Sequence, residues 1–164
     1  MEKVKLNNGI EMPKLGIGTF MLTPDEAENS VYHALKNGYR LIDTANAYVN
    51  EKAVGRGIKK SGIAREEIFI ETKQWPAFYE EDDQIDKTLE RLGTNYIDLL
   101  LLHQPSGNYM YAYKLMEKAV KEGKVKAIGL SNFNETQIQG ILDNCEIKPT
   151  VLQTEAHPYY PQTE

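Results

Sequence analysis

The sequence lacks the features that mark secreted, membrane-spanning and nucleic-acid-binding proteins. It has one cysteine, Cys145, among 164 residues, so no intrachain disulfide can form and a reducing compartment is expected. No apolar run approaches the roughly 20 residues of a membrane span, and the N-terminus has no apolar signal-peptide core. Lys and Arg number 19 against 24 Asp and Glu, and this net charge of −5 disfavours a nucleic-acid-binding surface, which needs clustered Lys and Arg. We therefore expect a cytoplasmic protein with neither nucleic acid nor a membrane as its partner.

A short hairpin followed by alternating strands and helices is what the sequence does contain. Val4 and Leu6 alternate with lysines, and the pair Asn8-Gly9 predicts a two-residue hairpin loop. Short apolar runs then predict six strands, over residues 15–19, 40–45, 68–73, 97–103, 125–132 and 150–155. The fourth run, IDLLLLH, is apolar almost throughout, which is typical of a parallel strand covered on both faces.

Five helices are predicted between these strands. The segment 23–26 has the spacing of a capping box with proline at the first helical position, and Asn134 and Gln137 repeat that spacing before the last helix. Strict alternation of strand and helix predicts a parallel sheet but leaves open whether it is doubly wound or part of a barrel. Gly16-Ile17-Gly18 lacks the third glycine of the dinucleotide fingerprint, which favours the barrel.

Polar side chains fall near the carboxyl ends of these predicted strands. Asp43, Lys73 and His103 come late in the second, third and fourth strands, Ser131-Asn132 end the fifth, and Gln153 lies in the sixth. In a parallel barrel these ends open on one face, where active sites are built. Taken singly, each has a structural interpretation, such as a local cap, a turn or a histidine at the edge of the core. The spacing of His, Cys and acidic residues predicts no metal site.

Taken together, these residues suit carbonyl reduction by hydride transfer. The hydroxyl of Tyr48 titrates near pH 10 in water, and a lysine beside it is expected to lower that pKa. Asp43 would hold Lys73 charged and oriented, and a neutral His103 would donate a hydrogen bond to a substrate oxygen. An alternative is a lysine-based lyase or aldolase, in which Lys73 forms a Schiff base.

The same residues resemble the aldo-keto reductase family over the whole chain. Five ordered motifs carry the resemblance: the segment 38–45 with Tyr48, Asn50, Glu51 and Gly55; the lysine strand 69–73; the histidine strand 98–105; the segment 123–133; and Gln153 with residues 155–158. The resemblance implies a (β/α)8 barrel that closes its bottom with the hairpin. It also implies reduction of an aldehyde or ketone by NADPH, with NADH as the alternative cofactor.

The resemblance also assigns roles to individual residues. It makes Tyr48 the general acid, tuned by Lys73 and Asp43, with His103 orienting the carbonyl. It further implies that the nicotinamide carboxamide is held by Ser131, Asn132 and Gln153, the nicotinamide ribose lies near Thr19 and Asp43, and the substrate pocket is walled by Phe20 and Trp75. Gln104 departs from the family, because many members have tryptophan there.

The length of the chain is the larger departure, since family members usually run well past 250 residues. We interpret residues 1–164 as a single incomplete barrel domain, with a hairpin over 1–14 and βα units over 15–164. Strands seven and eight and the late motif that grips the cofactor's adenosine phosphate are absent. A non-catalytic barrel fragment that associates with itself or a partner is therefore the alternative function. If the chain is truncated in this way, self-association is expected because strand edges recruit other strands.

Overall fold

A β-hairpin lies at the amino end of the chain, in a computed structural model that describes residues 2–163. Its strands are β1 (Lys3–Lys5) and β2 (Glu11–Pro13), paired antiparallel. The predicted two-residue loop is wrong: the Leu6 amide donates to the Ile10 carbonyl at 2.8 Å, which leaves a three-residue loop over 7–9. Gly9 takes the left-handed conformation in that loop, at φ 88°, as three-residue hairpin loops require.

Six parallel strands follow in one sheet, and each pairs with the next in chain order. They are β3 (Gly16–Gly18), β4 (Leu41–Asp43), β5 (Phe69–Gln74), β6 (Ile97–Leu102), β7 (Val125–Ser131) and β8 (Leu152–Gln153). Every residue of β5 and β6 is buried, in agreement with a sheet covered on both faces.

Five helices connect these strands: α1 (Pro24–Lys36), α2 (Glu51–Ser61), α3 (Gln84–Leu92), α4 (Tyr109–Lys121) and α5 (Glu135–Asn144). The capping boxes predicted at Thr23 and Asn134 are both formed, so these two helices begin where the sequence places them. The larger core cluster joins the helices to the outer face of the sheet, through residues such as Val31, Ile70 and Met116.

The sheet is curled, with a second core on its inner face. Leu41, Phe69 and Leu101 belong to this inner cluster, and the hairpin closes it from below with Leu6 and Met12. A hydrogen bond across the interior shows the curvature. Strands β4 and β8 are four spacings apart, roughly 19 Å in a flat sheet, yet the Gln153 amide nitrogen lies 2.7 Å from the Asp43 carboxylate. The six strands therefore form part of a barrel wall around a filled interior.

Candidate active site

The carboxyl ends of β4, β5 and β6 bring the four predicted catalytic side chains to one rim. Asp43 is the last residue of β4, and Tyr48 ends a short 3-10 helix, Asn46–Tyr48, that directly follows that strand. Lys73 lies one residue before the end of β5, and His103 directly follows β6. The His103 amide donates to the Gln74 carbonyl at 3.0 Å, which fixes it against the neighbouring strand. Residues 60 positions apart in sequence thus become neighbours because parallel strands end at the same edge.

The Lys73 ammonium is buried at the centre of this group. Its side chain is 2% exposed and forms an ion pair with Oδ1 of Asp43. It also donates to the Thr44 carbonyl at 3.1 Å and to the Tyr48 hydroxyl at 3.4 Å. An ammonium has three protons, so all three have acceptors and the burial of the charge is compensated.

The pKa of Tyr48 moves in the opposite direction to the sequence-based expectation. Lys73 does act to lower it, but burial of the hydroxyl has the larger effect, and the carboxyls of Asp43 and Glu71 also raise it. The net result is a pKa above the ordinary value for tyrosine. The prediction of a lowered pKa considered only the adjacent cation and left out the cost of desolvating a phenolate. In this chain, Tyr48 is therefore a protonated group at neutral pH.

His103 is neutral in this surrounding, as predicted. Burial and, to a lesser degree, the charge of Lys73 lower its pKa to about 4, against the opposing effect of Asp43. Its ring lies edge-on to that of Tyr48, with centroids 5.6 Å apart, and edge-on to Trp75 at 5.0 Å. Among residues 2–163, no group hydrogen-bonds its buried Nδ1.

The residues predicted to hold the nicotinamide carboxamide lie beside this group. Ser131 is buried at the end of β7, and Asn132 follows it with the left-handed φ of 65°. The Asn132 amide donates to the His103 carbonyl and to the Ser131 hydroxyl, both at 3.1 Å. The Gln153 amide nitrogen donates to Asp43 at 2.7 Å and to Glu71 at 2.6 Å. The three side chains thus lie at the ends of two adjacent strands, β7 and β8, on the same rim as His103 and Asp43.

Thr19, also predicted as a cofactor residue, is turned into the protein. It is fully buried, and its hydroxyl lies 2.9 Å from the Thr44 hydroxyl and 3.2 Å from the Asp43 carbonyl. Asn50 closes the group by donating to the Thr19 carbonyl at 2.9 Å. The side chain of Thr19 therefore braces the backbone around Asp43.

Phe20 and Trp75, the residues predicted to wall the substrate pocket, are exposed side chains beside this group. The ring of Phe20 is 67% exposed and its centroid lies 5.1 Å from that of Tyr48. Trp75 is 38% exposed beside His103. Gln104, the departure from the family, has its backbone fixed by the buried Tyr79 hydroxyl, which donates to its carbonyl at 2.8 Å and accepts from its amide at 3.2 Å.

Sequence analysis missed one acid of this site, Glu71. It occupies the middle of β5, is 2% exposed and is the register partner of Asp43 on the adjacent strand. Burial is the main cause that raises its pKa to about 8, and the nearby Asp43 carboxylate adds to the effect. One sequence feature could have identified Glu71: it is a charged residue within a predicted buried strand, FIETK. Glutamate is rarely buried without a partner, so such a position indicates a specific interaction. The described residues contain no group of three His, Cys, Asp or Glu side chains suited to a metal ion.

The architecture and the rim together define a partial (β/α)8 barrel with polar residues at the carboxyl ends of its strands. The Aldo/keto reductase family model matches residues 14–164, so the chain belongs to that family. Glyoxal reductase of Bacillus subtilis (strain 168) is 46% identical over 99% of this chain and 61% of its own length. Morphine 6-dehydrogenase of Pseudomonas putida is 40% identical over 97% of this chain and 56% of its own.

Solved structures agree with this assignment. An aldo/keto reductase from Brucella melitensis superposes with a TM-score of 0.95 at 41% identity, covering 99% of this chain and 66% of that one. A Bombyx mori aldo-keto reductase in complex with NADP gives a TM-score of 0.92 at 34% identity, covering 99% and 60%. The chain thus spans about three-fifths of the length of the curated relatives it matches. No helix among residues 2–163 is both long and apolar enough to cross a membrane.

Proposed function

We propose that this site reduces an aldehyde or ketone to an alcohol, with Tyr48 as the general acid. The observation that carries the proposal is the group formed by Tyr48, Lys73, Asp43 and His103 at the carboxyl rim, which pairs a protonated phenol with a buried cation. Membership of a family whose relatives include a named glyoxal reductase supports the same class of reaction.

The polar groups of the rim fit the nicotinamide end of the cofactor. Ser131 and Asn132 present a hydroxyl and an amide at the end of β7, and Gln153 presents its amide from β8. We propose NADPH as the cofactor, with NADH as the alternative, and a relative bound to NADP supports this choice. The cofactor, when bound, supplies the hydride.

The remaining steps fall to the side chains of this chain. His103, neutral because of its lowered pKa, donates a hydrogen bond to the substrate carbonyl oxygen. Tyr48, whose raised pKa keeps it protonated, gives its proton to that oxygen as negative charge develops there. Lys73 stabilises the phenolate that remains, and Asp43 keeps Lys73 in place. Phe20 and Trp75 present apolar surface to the substrate.

A Schiff-base mechanism at Lys73 fits the geometry poorly. A nucleophilic amine needs a free lone pair and access to the substrate. The Lys73 nitrogen instead donates to three acceptors, and its side chain is 2% exposed. Borohydride trapping of a carbonyl compound on Lys73 would contradict the reductase proposal.

The decisive test is Tyr48→Phe in the natural protein, that is, the polypeptide as its own organism produces it. Tyr159→Phe, at an exposed tyrosine, is the matched control. Removing a general acid lowers turnover by about 10²–10⁴-fold. We expect that loss for glyoxal reduction in Tyr48→Phe, because no hydroxyl remains next to Lys73, and no loss in the control. The oxidation of NADPH is followed by its absorbance, and cofactor affinity by fluorescence titration should change by less than about twofold. Wild-type turnover in Tyr48→Phe would refute the role of Tyr48.

A non-catalytic fragment that associates with itself is the second candidate for the 164-residue chain alone. The observation that favours it is the position of β3 and β8 at the two ends of the sheet, each paired on one side. Leu15 and Leu152, beside and within these strands, are 57% and 45% exposed. Unpaired strand edges with apolar side chains are sites of association.

A further inference from the structure

Glu71 is a buried acid to which the proposed mechanism assigns no task. It lies inside the curled sheet, two residues before Lys73 on the same strand, so both side chains point to the interior. Its register partners are Asp43 on β4 and Leu99 on β6. A carboxyl group in such a place is costly unless its oxygens are hydrogen-bonded or its charge is neutralised.

Gln153 joins Glu71 to Asp43 through one amide group. Its Nε2 lies 2.6 Å from Oε1 of Glu71 and 2.7 Å from Oδ2 of Asp43, which uses both protons of that nitrogen. The Asp43 carboxylate, which pairs with Lys73, can only accept, so the nitrogen end of the amide must face it. A neutral Glu71 still accepts from the same nitrogen through its carbonyl oxygen. The oxygen end then faces away from them. Within residues 2–163, no protein group donates to that Oε1.

The charges around Glu71 favour its neutral form. The groups that face it are Asp43 from β4, Lys73 from its own strand and the uncharged Gln153 from β8, while β6 presents Leu99. Two ionised carboxyls and one ammonium would leave a net negative charge in the interior, and two acids so close do not both ionise readily. Burial, reinforced by Asp43 and opposed by Lys73, raises the pKa of Glu71 to about 8.

We propose that Glu71 is a positioning residue of this site, which as a neutral acid holds the Gln153 amide in one orientation. Because Glu71 is neutral, the charges next to Tyr48 are those of the Lys73 ammonium and the Asp43 carboxylate. This inference rests on the proposed carbonyl reduction. With its nitrogen held by the two acids, the amide of Gln153 would offer Oε1 as an acceptor for the carboxamide N–H of the nicotinamide. Glu71 thereby acts on cofactor binding through Gln153 and not by its own contact.

Ionisation of Glu71 would alter the acid step as well. A carboxylate at this position raises the pKa of Tyr48, since negative charge disfavours a phenolate nearby. Tyr48 then becomes a weaker acid. The rate of reduction should fall as the pH rises through the pKa of Glu71, near 8.

The first experiment measures the protonation state of Glu71 without any enzymatic assay. In the natural protein labelled with ¹³C at the glutamate side-chain carboxyls, one resonance should titrate near pH 8, and Glu71→Gln should remove it. Glu51→Gln serves to assign the other buried glutamate with a raised pKa. Asp43→Asn should move the Glu71 midpoint to lower pH, because the neighbouring carboxylate is gone. A Glu71 resonance that titrates near 4.5 would overturn the inference.

The second experiment separates positioning from mere packing. Glu71→Met removes the acceptor for Gln153 and should weaken NADPH binding about tenfold at every pH. Glu71→Gln keeps a neutral oxygen acceptor, so it should retain more affinity than Glu71→Met and should lose the decline in kcat above pH 8. Glu67→Gln, an exposed glutamate just before the same strand, is the matched control. Equal effects of Glu71→Gln and Glu71→Met on affinity and pH profile, with both folded by circular dichroism, would contradict positioning. A folded wild-type protein that does not reduce carbonyls would contradict the proposed function, while the carboxyl titration would still decide the state of Glu71.

Discussion

Lys73→Met tests the buried ion pair that organises the site. Methionine has a similar length, so the change removes the charge and the three hydrogen bonds with little change in side-chain volume. It leaves the Asp43 carboxylate without its cation and the Thr44 carbonyl without a donor. Breaking a buried pair in this way costs about 3–5 kcal/mol.

We expect a loss near the lower end of that range, about 3 kcal/mol. The Asp43 side chain is 24% exposed and keeps its hydrogen bond from Gln153, so solvent and the amide compensate part of the lost attraction. For a chain of this size, such a loss corresponds to a fall in Tm of about 6–12 °C.

The assay is urea unfolding followed by circular dichroism, with the m-value as a check that the unfolding transition itself is unchanged. Lys87→Met is the matched control, because its ammonium pairs with Glu81 and Asp83 at the surface, where removal costs about 1 kcal/mol or less. Combining Lys73→Met with Asp43→Asn should cost less than the two changes added, since each already removes the same pair. A loss below about 1 kcal/mol in Lys73→Met, equal to that of the control, would refute this reasoning.

Two further predictions follow from His103 and from the ends of the sheet. The pKa of His103 is lowered to about 4 in the folded chain, whereas an unfolded histidine titrates near 6.5. As the pH falls from about 6.5 to 4, the unfolded chain therefore binds a proton that the folded chain does not. The free energy of unfolding should fall by up to about 1.4 kcal/mol for each pH unit in this range. In His103→Gln, the unfolding free energy measured in urea should depend less on pH by that amount. An equal pH dependence in the two proteins would contradict the lowered pKa of His103. The 164-residue chain alone should self-associate through β3 and β8, which light scattering measures, and a stable monomer at high concentration would show that these edges are protected.

The order of the elements and the edge of the sheet at which the site forms follow from sequence patterns alone. The run IDLLLL can be stable only between two apolar layers, which predicts a parallel strand with helices outside it. The capping boxes at Thr23 and Asn134 fix where two helices begin, because their side chains bond the first free backbone amides. Once the strands are parallel, residues at their carboxyl ends, such as Lys73 and His103, must meet on one face.

The electrostatics of that face and the contacts across the barrel interior depend instead on how the whole chain packs. The pKa of Tyr48 depends on how much water reaches its hydroxyl, and sequence shows the neighbouring Lys73 but not the burial. The local pair Asn8-Gly9 likewise did not reveal that the hairpin loop takes a third residue. Glu71 and Gln153 are 82 positions apart and approach within 2.6 Å because the sheet curls through three strand spacings. Local sequence sets the identity and direction of each strand, whereas curvature and register, which arise from packing the whole sheet, decide which side chains meet inside it.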